Sequence, residues 1–226
     1  MQQTNSFAEG RVILINKPLT WTSFNAVSKI RYLINIKKVG HAGTLDPLAT
    51  GLLIICTGKF TKKINEYMGM EKEYTGTITI GSTTPTFDLE KEPENIKDIS
   101  HITEDQIIAA TKQFTGNILQ MPPQHSAIKK DGKRLYETAR LGIEVKVDPR
   151  PVTISEFTIT KIDGANIDFK VVCGTGTYIR SLANDFGAAL GVGGHLSKLC
   201  RTKIGNFSVE DAVTPEAFEK ELTSTN

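Results

Sequence analysis

A lone carboxylate lies in the stretch GHAGTLDPLATGLLIICTG, residues 40–58. Asp46 is flanked by Leu45 and Pro47, and an apolar run follows closely. Gly43 permits unusual backbone angles and Pro47 fixes its own φ, so the pattern predicts a defined loop between strands. An Asp in such a loop often caps a turn. A turn cap leaves unexplained why His41, Thr44 and Asp46 cluster ahead of the apolar strand, so Asp46 is a candidate functional residue.

A second unusual residue is the arginine in GTGTYIRSLANDFG. The pattern predicts a helix from Thr177, with Arg180 in its first turn and off its apolar stripe. The helix dipole disfavours a cation at this end. An anionic partner elsewhere in the fold would explain Arg180, and a solvent-exposed arginine is the alternative.

Motifs that bind cofactors are not supported by the sequence. GLLIICTGKF resembles a phosphate-binding loop, but its glycine spacing differs and Phe60 stands where Ser or Thr should be. GVGGHL lacks the third glycine of a dinucleotide fingerprint and follows a predicted helix. The three cysteines form no CxxC pair, and no HExxH is present, so neither a disulfide framework nor a zinc site is indicated. An activity without cofactors is favoured.

The elements that position these residues indicate a mixed α+β chain. Hairpin-joined strands interrupted by single helices favour an α+β sheet over a doubly wound parallel one. The predicted strands are 12–15, 52–56, 73–80 and the hairpin 154–162 with 167–173. The predicted helices begin at a Ser23 cap, at a capping box over 103–106 and at Thr177. On the first helix, we expect one core face from Phe24, Val27, Ile30 and Ile34.

Size and charge set further limits. The chain has 226 residues, 39% of them hydrophobic, and this length and composition fit one globular domain. Its formal net charge is +2. Its apolar runs are too short to cross a bilayer and its N-terminus lacks a secretory signal, so we expect a cytoplasmic protein. Lysine clusters such as 129–134 are typical of solvated faces when no other signal is present.

Five blocks together carry a family resemblance. GHAGTLDPLATGLL, KEYTGTITIGSTTPTFD, MPPQHSAIKKDGKRLYETARLG, GTYIRSLANDFG and GGHLSKLCRTKIGNF, with NKP at 16–18, closely resemble in order the blocks of the bacterial TruB family of tRNA pseudouridine synthases. The resemblance runs from about residue 11 to about residue 207. It implies a pseudouridine synthase fold with a mixed, largely antiparallel sheet, and conversion of uridine 55 in the TΨC loop of tRNA to pseudouridine.

The resemblance also implies roles for individual residues. Asp46 matches the catalytic aspartate, Tyr74 the aromatic residue that stacks on the target base, and Arg180 the arginine that pairs with the carboxylate. The other positions implied to bind substrate are His41, Tyr178 and Leu199 in the uridine pocket, Asp88 near Arg180, and Lys17, Lys130 and Lys133. The nearby guanidinium is expected to keep Asp46 ionised.

The implied reaction needs no cofactor. It breaks the N1–C1′ glycosidic bond, turns the base and rejoins it through C5, so no atom need be supplied. Asp46 either attacks C1′ or removes a proton from C2′, and the sequence leaves both routes open. The target base must be flipped out and held, by Tyr74 and His41 in this interpretation.

The resemblance further implies the domain plan and the partners. We expect a single catalytic domain over 1–226, a substrate-gripping loop at about 120–150, a short terminal helix from about 214 and no C-terminal PUA domain. The expected partner is the TΨC stem-loop of tRNA, bound by a monomer without a protein partner or a membrane. Two alternatives are a non-catalytic RNA-binding or tRNA-folding protein on the same scaffold and a cofactor-free hydrolase. The hydrolase would need a base for water near Asp46, and its loop has no second carboxylate.

Overall fold

The computed structural model describes residues 2–124, 126, 129–130, 133–134, 145 and 147–224. The chain forms two compact units, residues 1–75 with 199–226 and residues 76–198. The helices are α1 (Gln2–Glu9), α2 (Ser23–Ile34), α3 (Ile64–Gly69), α4 (Glu104–Ala110), α5 (Ile179–Ala189) and α6 (Pro215–Ser224). The strands are β1 (Val12–Lys17), β2 (Val39–His41), β3 (Ala49–Thr57), β4 (Lys72–Ile80), β5 (Gly116–Gln120), β6 (Lys129–Lys130), β7 (Lys133–Arg134), β8 (Arg150–Asp163), β9 (Asn166–Cys173), β10 (Gly194–Ile204) and β11 (Phe207–Ser208).

The first unit is built around β3. This strand pairs antiparallel with β1 and with β2, and its first residues pair parallel with residues 199–201 of β10. Its side chains are buried on both faces: Leu53 and Ile55 join one apolar cluster, and Leu52, Ile54 and Cys56 join another. A strand buried on both faces reads as a continuous apolar run, which is why 52–56 could be identified from the sequence.

The predicted helix at 23–34 forms, but two details of the prediction are wrong. The N-cap is Thr22, whose side chain accepts a hydrogen bond from the Asn25 amide, so Ser23 is the first helical residue instead of the cap. Val27, Ile30 and Ile34 are buried as predicted, whereas Phe24 is 66% exposed. The buried stripe runs through position 23, and position 24 lies about 100° around the helix from it.

The second unit contains an antiparallel ribbon of β5, β8 and β9, next to which β4 pairs with β9. The predicted hairpin forms between β8 and β9, with Asp163 opposite Asn166, so its two loop residues are Gly164 and Ala165. Gly164 has φ +58°, which suits a tight turn. The predicted capping box is present on α4, with Thr103 and Gln106 bonded reciprocally.

An aromatic cluster positions α5 in the second unit. Phe186 of α5 packs on Phe157 of β8 with ring centroids 5.4 Å apart, and Phe114 and Phe169 contact the same group. The helix begins at Ile179, two residues later than predicted, and ends before Gly191, whose φ is +79°. Ile179, Leu182 and Phe186 form its buried stripe as predicted.

These findings confirm a mixed α+β chain. The pairs β1–β3, β2–β3, β5–β8, β6–β7, β8–β9 and β10–β11 are antiparallel and the pair β3–β10 is parallel, as expected for a largely antiparallel sheet. The terminal helix begins at Pro215, close to the predicted start. Among the described residues, no helix has the length and apolar character to span a membrane. The single catalytic domain stays a prediction.

Candidate active site

The predicted loop carries Asp46 between β2 and β3. It leaves β2 after His41 and is closed by two backbone hydrogen bonds, from the Ala42 amide to the Ile54 carbonyl (2.9 Å) and from the Ala49 amide to the Asp46 carbonyl (3.1 Å). Gly43 has φ +96°, a conformation that favours glycine. Asp46 is half-buried. The backbone around the carboxylate is therefore defined, as the Gly and Pro residues predicted.

Arg201 holds the first half of this loop. Its guanidinium donates to the carbonyls of Leu52 (2.8 Å), Gly43 (3.1 Å) and Thr44 (3.5 Å), and its side chain is fully buried. The planar fork of donors lets one side chain bind several carbonyls at once. The sequence analysis did not single out Arg201. No local signal marks it, because its partners lie about 150 residues earlier in the chain.

Lys17 holds the second half of the loop. Its ammonium donates to the carbonyls of Trp21 (2.6 Å), Pro18 (3.0 Å) and Pro47 (3.4 Å), and none of the residue is exposed. Burial lowers the pKa of Lys17 from 10.5 to about 8. The Asp46 carboxylate acts in the opposite direction, and the Arg201 cation reinforces the lowering. The resemblance implied a substrate contact for Lys17, but the structure aims its ammonium at the protein backbone.

Two further residues contact the loop: Ser23, the first residue of α2, and Thr20, which lies between β1 and α2. The Ser23 hydroxyl accepts a hydrogen bond from the Leu45 amide (2.8 Å) and donates to the Leu45 carbonyl (3.1 Å). The Thr20 amide donates to the Pro47 carbonyl (2.8 Å). Side chains or amides from residues 17–23 and from Arg201 thus contact the loop from Gly43 to Pro47.

Three other predicted residues belong to the first unit. His41 ends β2 and is half-buried; burial lowers its pKa, Arg201 adds to this lowering, and the Gly43 backbone opposes it. The imidazole is therefore biased toward its neutral form. Leu199 of β10 lies opposite Ala49, and its carbonyl accepts a hydrogen bond from the Thr50 hydroxyl (3.3 Å). Tyr74 lies on β4 and is 9% exposed.

Arg180 in the second unit is buried, not solvent-exposed. It is 5% exposed, and its Nε lies 3.7 Å from an Asp88 carboxylate oxygen. Its Nη1 donates to the Thr86 carbonyl (3.3 Å). An anionic partner was expected from the position of Arg180 at the start of a helix. Asp88 is such a partner, as the resemblance implied. The predicted pairing of Arg180 with Asp46 stays a prediction.

Tyr178 immediately precedes α5 and is fixed by a residue that the sequence analysis missed. The Gln120 side-chain amide accepts from the Tyr178 amide (2.8 Å) and donates to the Tyr178 carbonyl (3.0 Å). Gln120 is itself 2% exposed, which favours a structural role. A buried glutamine at the end of β5 defines the backbone from which Tyr178 and Arg180 project.

The predicted substrate-gripping loop is described only in part. Lys130 and Lys133 lie on β6 and β7, which form a short antiparallel pair with Lys130 opposite Lys133. Residues 135–144 of this loop lie outside the described residues. In the part of the chain that the structure describes, no three His, Cys, Asp or Glu side chains are grouped as a potential metal site.

The loop arrangement suits a carboxylate that reacts without large movement of its backbone. The peptide groups before and after Asp46 are both hydrogen-bonded. The buried Lys17 and Arg201 donate to the nearby carbonyls of Pro47 and Gly43. Such preorganisation favours either nucleophilic attack or proton abstraction, since both need the carboxylate held at a fixed position.

Comparisons with known proteins agree with this architecture. The model of the TruB family pseudouridylate synthase (N terminal domain) matches residues 31–179, and that of the tRNA pseudouridylate synthase B C-terminal domain matches residues 180–226. The chain is 56% identical to tRNA pseudouridine synthase B of Flavobacterium johnsoniae over 223 residues, which cover 96% of this chain and 97% of that protein. It is 45% identical to the protein of the same name from Paenarthrobacter aurescens, covering 93% of this chain and 70% of that one.

Solved structures show the same fold. A chain in a structure described as an H/ACA RNP bound to a substrate RNA containing 2′-deoxyuridine superposes with a TM-score of 0.72 at 28% identity, over 97% of this chain and 54% of that one. A chain of a Cbf5-Nop10-Gar1 complex gives a TM-score of 0.71 at 31% identity, over 92% and 52%. This chain spans about half the length of those chains. From the two family models and the nearly full-length match to the Flavobacterium protein, this chain belongs to the TruB family of pseudouridylate synthases.

Proposed function

We propose that the protein isomerises uridine 55 in the TΨC loop of tRNA to pseudouridine, with Asp46 as the catalytic carboxylate. The observation that carries this proposal is the defined Asp46 loop, held by Arg201, Ser23 and Lys17, in a chain of this family. The relatives that match over most of their length are named tRNA pseudouridine synthase B, which supports tRNA as the substrate. We further propose that the protein acts as a cytoplasmic monomer.

In the proposed reaction, Asp46 starts the cleavage of the N1–C1′ bond. It either attacks C1′ and forms a covalent bond to the sugar, or removes the C2′ proton so that the base can leave. The detached base turns and C5 bonds to C1′; in the first route this breaks the bond between Asp46 and C1′, and in the second C2′ takes its proton back. The C5 hydrogen is then lost as a proton, and N1 gains a proton. Bond formation at C5 therefore releases the original C5 hydrogen to water in either route.

The other residues would bind and orient the RNA. Tyr74 would stack on the flipped base, and neutral His41 could exchange hydrogen bonds with its edge. Tyr178 and Leu199 would line the pocket, and Arg180, next to Asp88, would pair with Asp46. Lys130 and Lys133 would contact phosphates. For Lys17 we propose a role in holding the loop, because its ammonium is buried and donates to three backbone carbonyls.

The test is tritium release from a TΨC stem-loop that carries uridine labelled at C5. We expect stoichiometric release from position 55 and none from a stem-loop with cytidine at that position. Deuterium at C2′ separates the two routes: it should slow a reaction that begins with proton removal and leave C1′ attack nearly unaffected. Tight binding of the stem-loop without tritium release would instead support the non-catalytic RNA-binding alternative.

A further inference from the structure

The Ser23 hydroxyl makes two hydrogen bonds to one residue in the Asp46 loop. It accepts from the Leu45 amide at 2.8 Å and donates to the Leu45 carbonyl at 3.1 Å. Ser23 is 2% exposed, so water does not compete for these bonds. Two satisfied bonds to one buried hydroxyl use both its donor and an acceptor site.

The start of α2 makes this contact possible. A serine at a helix start usually caps the helix with its own oxygen. Here Thr22 performs that role together with Asn25, so the Ser23 hydroxyl is not required by its own helix. Ser23 instead lies on the buried stripe of α2, 22 residues before Leu45.

The two bonds fix the peptide groups on both sides of Leu45. The Leu45 amide belongs to the peptide that joins it to Thr44, and the Leu45 carbonyl belongs to the peptide that joins it to Asp46. The next carbonyl, that of Asp46, accepts from the Ala49 amide at 3.1 Å. With the peptides before and after Asp46 both held, the Ser23 hydroxyl helps to fix the backbone from which the carboxylate projects.

We propose that Ser23 is a positioning residue for catalysis, acting through the Leu45 backbone on the orientation of Asp46. The inference rests on the proposed function of Asp46. Displacement of a reacting group by about 1 Å can cost on the order of 100-fold in rate. We therefore expect Ser23→Ala to lower the single-turnover rate by about 10- to 100-fold, with little change in the affinity for the stem-loop.

Thr57 provides a matched control in the same unit. Its hydroxyl also joins two backbone groups, accepting from the Arg11 amide at 3.0 Å and donating to the Phe7 carbonyl at 2.8 Å, and it is fully buried. It lies at the opposite end of β3 from Asp46. Thr57→Val removes an equivalent pair of bonds, so its loss of stability should resemble that of Ser23→Ala, while its rate should stay within about twofold of the parent.

The experiment compares the parent with Ser23→Ala, Ser23→Thr and Thr57→Val. For each protein it measures the Tm, the single-turnover rate and the Kd for the TΨC stem-loop. The rate and the Kd are measured at a temperature well below the lowest Tm. Ser23→Thr keeps the hydroxyl and should recover at least part of the rate. Equal rate losses in Ser23→Ala and Thr57→Val, or a Ser23→Ala rate within twofold of the parent, would overturn the proposal. Asp46→Asn, assayed in parallel, separates the two claims, because full activity of that variant would refute the catalytic assignment itself.

Discussion

Buried cations are stabilised differently in the two units. In the first, Lys17 and Arg201 are fully buried and donate to backbone carbonyls, which include Pro47 for Lys17 and Gly43 for Arg201 in the Asp46 loop. In the second, Arg180 lies beside the Asp88 carboxylate and donates to the Thr86 carbonyl. The first arrangement uses charge to fix a backbone, and the second uses a buried carboxylate to help hold one side chain.

This difference predicts different consequences of mutation. Loss of a cation in the first unit leaves carbonyls without their donors and releases the loop, whereas loss of Asp88 leaves the buried Arg180 charge without that neighbour. Breaking a buried ion pair typically costs about 3–5 kcal/mol. The first unit should therefore respond to substitution mainly through the geometry around Asp46, and the second also through stability.

The largest effect is expected at the residue that the first arrangement positions. Asp46→Asn keeps the shape of the side chain but can neither attack carbon nor accept a proton, so we expect the rate of tritium release to fall by at least about 1000-fold. The Kd for the stem-loop should change by less than about threefold. Activity within tenfold of the parent would show that the loop carries no chemistry.

The second unit is tested by Arg180→Lys and Arg180→Met. A lysine keeps the charge but does not reproduce the guanidinium fork, so we expect about 100-fold loss of kcat, with a greater loss for methionine. Asp88→Asn should lower the free energy of unfolding as well as kcat, because it removes a buried carboxylate. Chemical denaturation and single-turnover assays measure both quantities. Full activity of Arg180→Lys would limit the role of Arg180 to its charge.

The sequence predicted the Asp46 loop because its determinants are local. A glycine and a proline bracket the carboxylate, and the apolar run after it identifies β3. The capping box of α4 and the hairpin of β8 and β9 were predicted for the same reason, since their patterns span only a few residues. Arg180 was suspected because a cation conflicts with the start of a helix.

The residues that hold the loop could not be predicted in this way. Arg201 contacts carbonyls 149 to 158 residues away, and Gln120 binds Tyr178 across 58 residues. Neither an arginine nor a glutamine has a local sequence pattern that identifies a partner so far away in the chain. The sequence analysis assigned Ser23 to the helix cap, which is the usual role of a serine in that place. Because Thr22 is the cap, the Ser23 hydroxyl can bond to Leu45 instead. The sequence therefore predicted a candidate reacting group, and only the fold showed which residues contact its loop.

The depressed pKa of Lys17 gives the first unit a distinct dependence on pH. The folded chain releases this proton near pH 8 and the unfolded chain near 10.5, so the unfolded state binds more protons between these values. The contribution of Lys17 to the free energy of unfolding should therefore increase with pH there, by at most about 1.4 kcal/mol per pH unit. Chemical denaturation of the parent and Lys17→Met from about pH 7 to about pH 10 measures this contribution as the difference between their slopes. Parallel pH dependences would contradict the assignment.

The smallest effect is expected outside both buried sites, at Lys130 and Lys133 on the β6–β7 pair. Reversing both charges should weaken stem-loop binding and reduce the slope of log Kd against log salt by about 2, since each phosphate contact contributes about one unit. The rate at saturating protein should not change, because the role proposed for both residues is to contact phosphates. The matched control reverses Lys161 and Lys170, which form ion pairs with Asp163 and Glu156. An equal change of slope in both double variants would mean that net charge, and not this pair of strands, governs RNA binding.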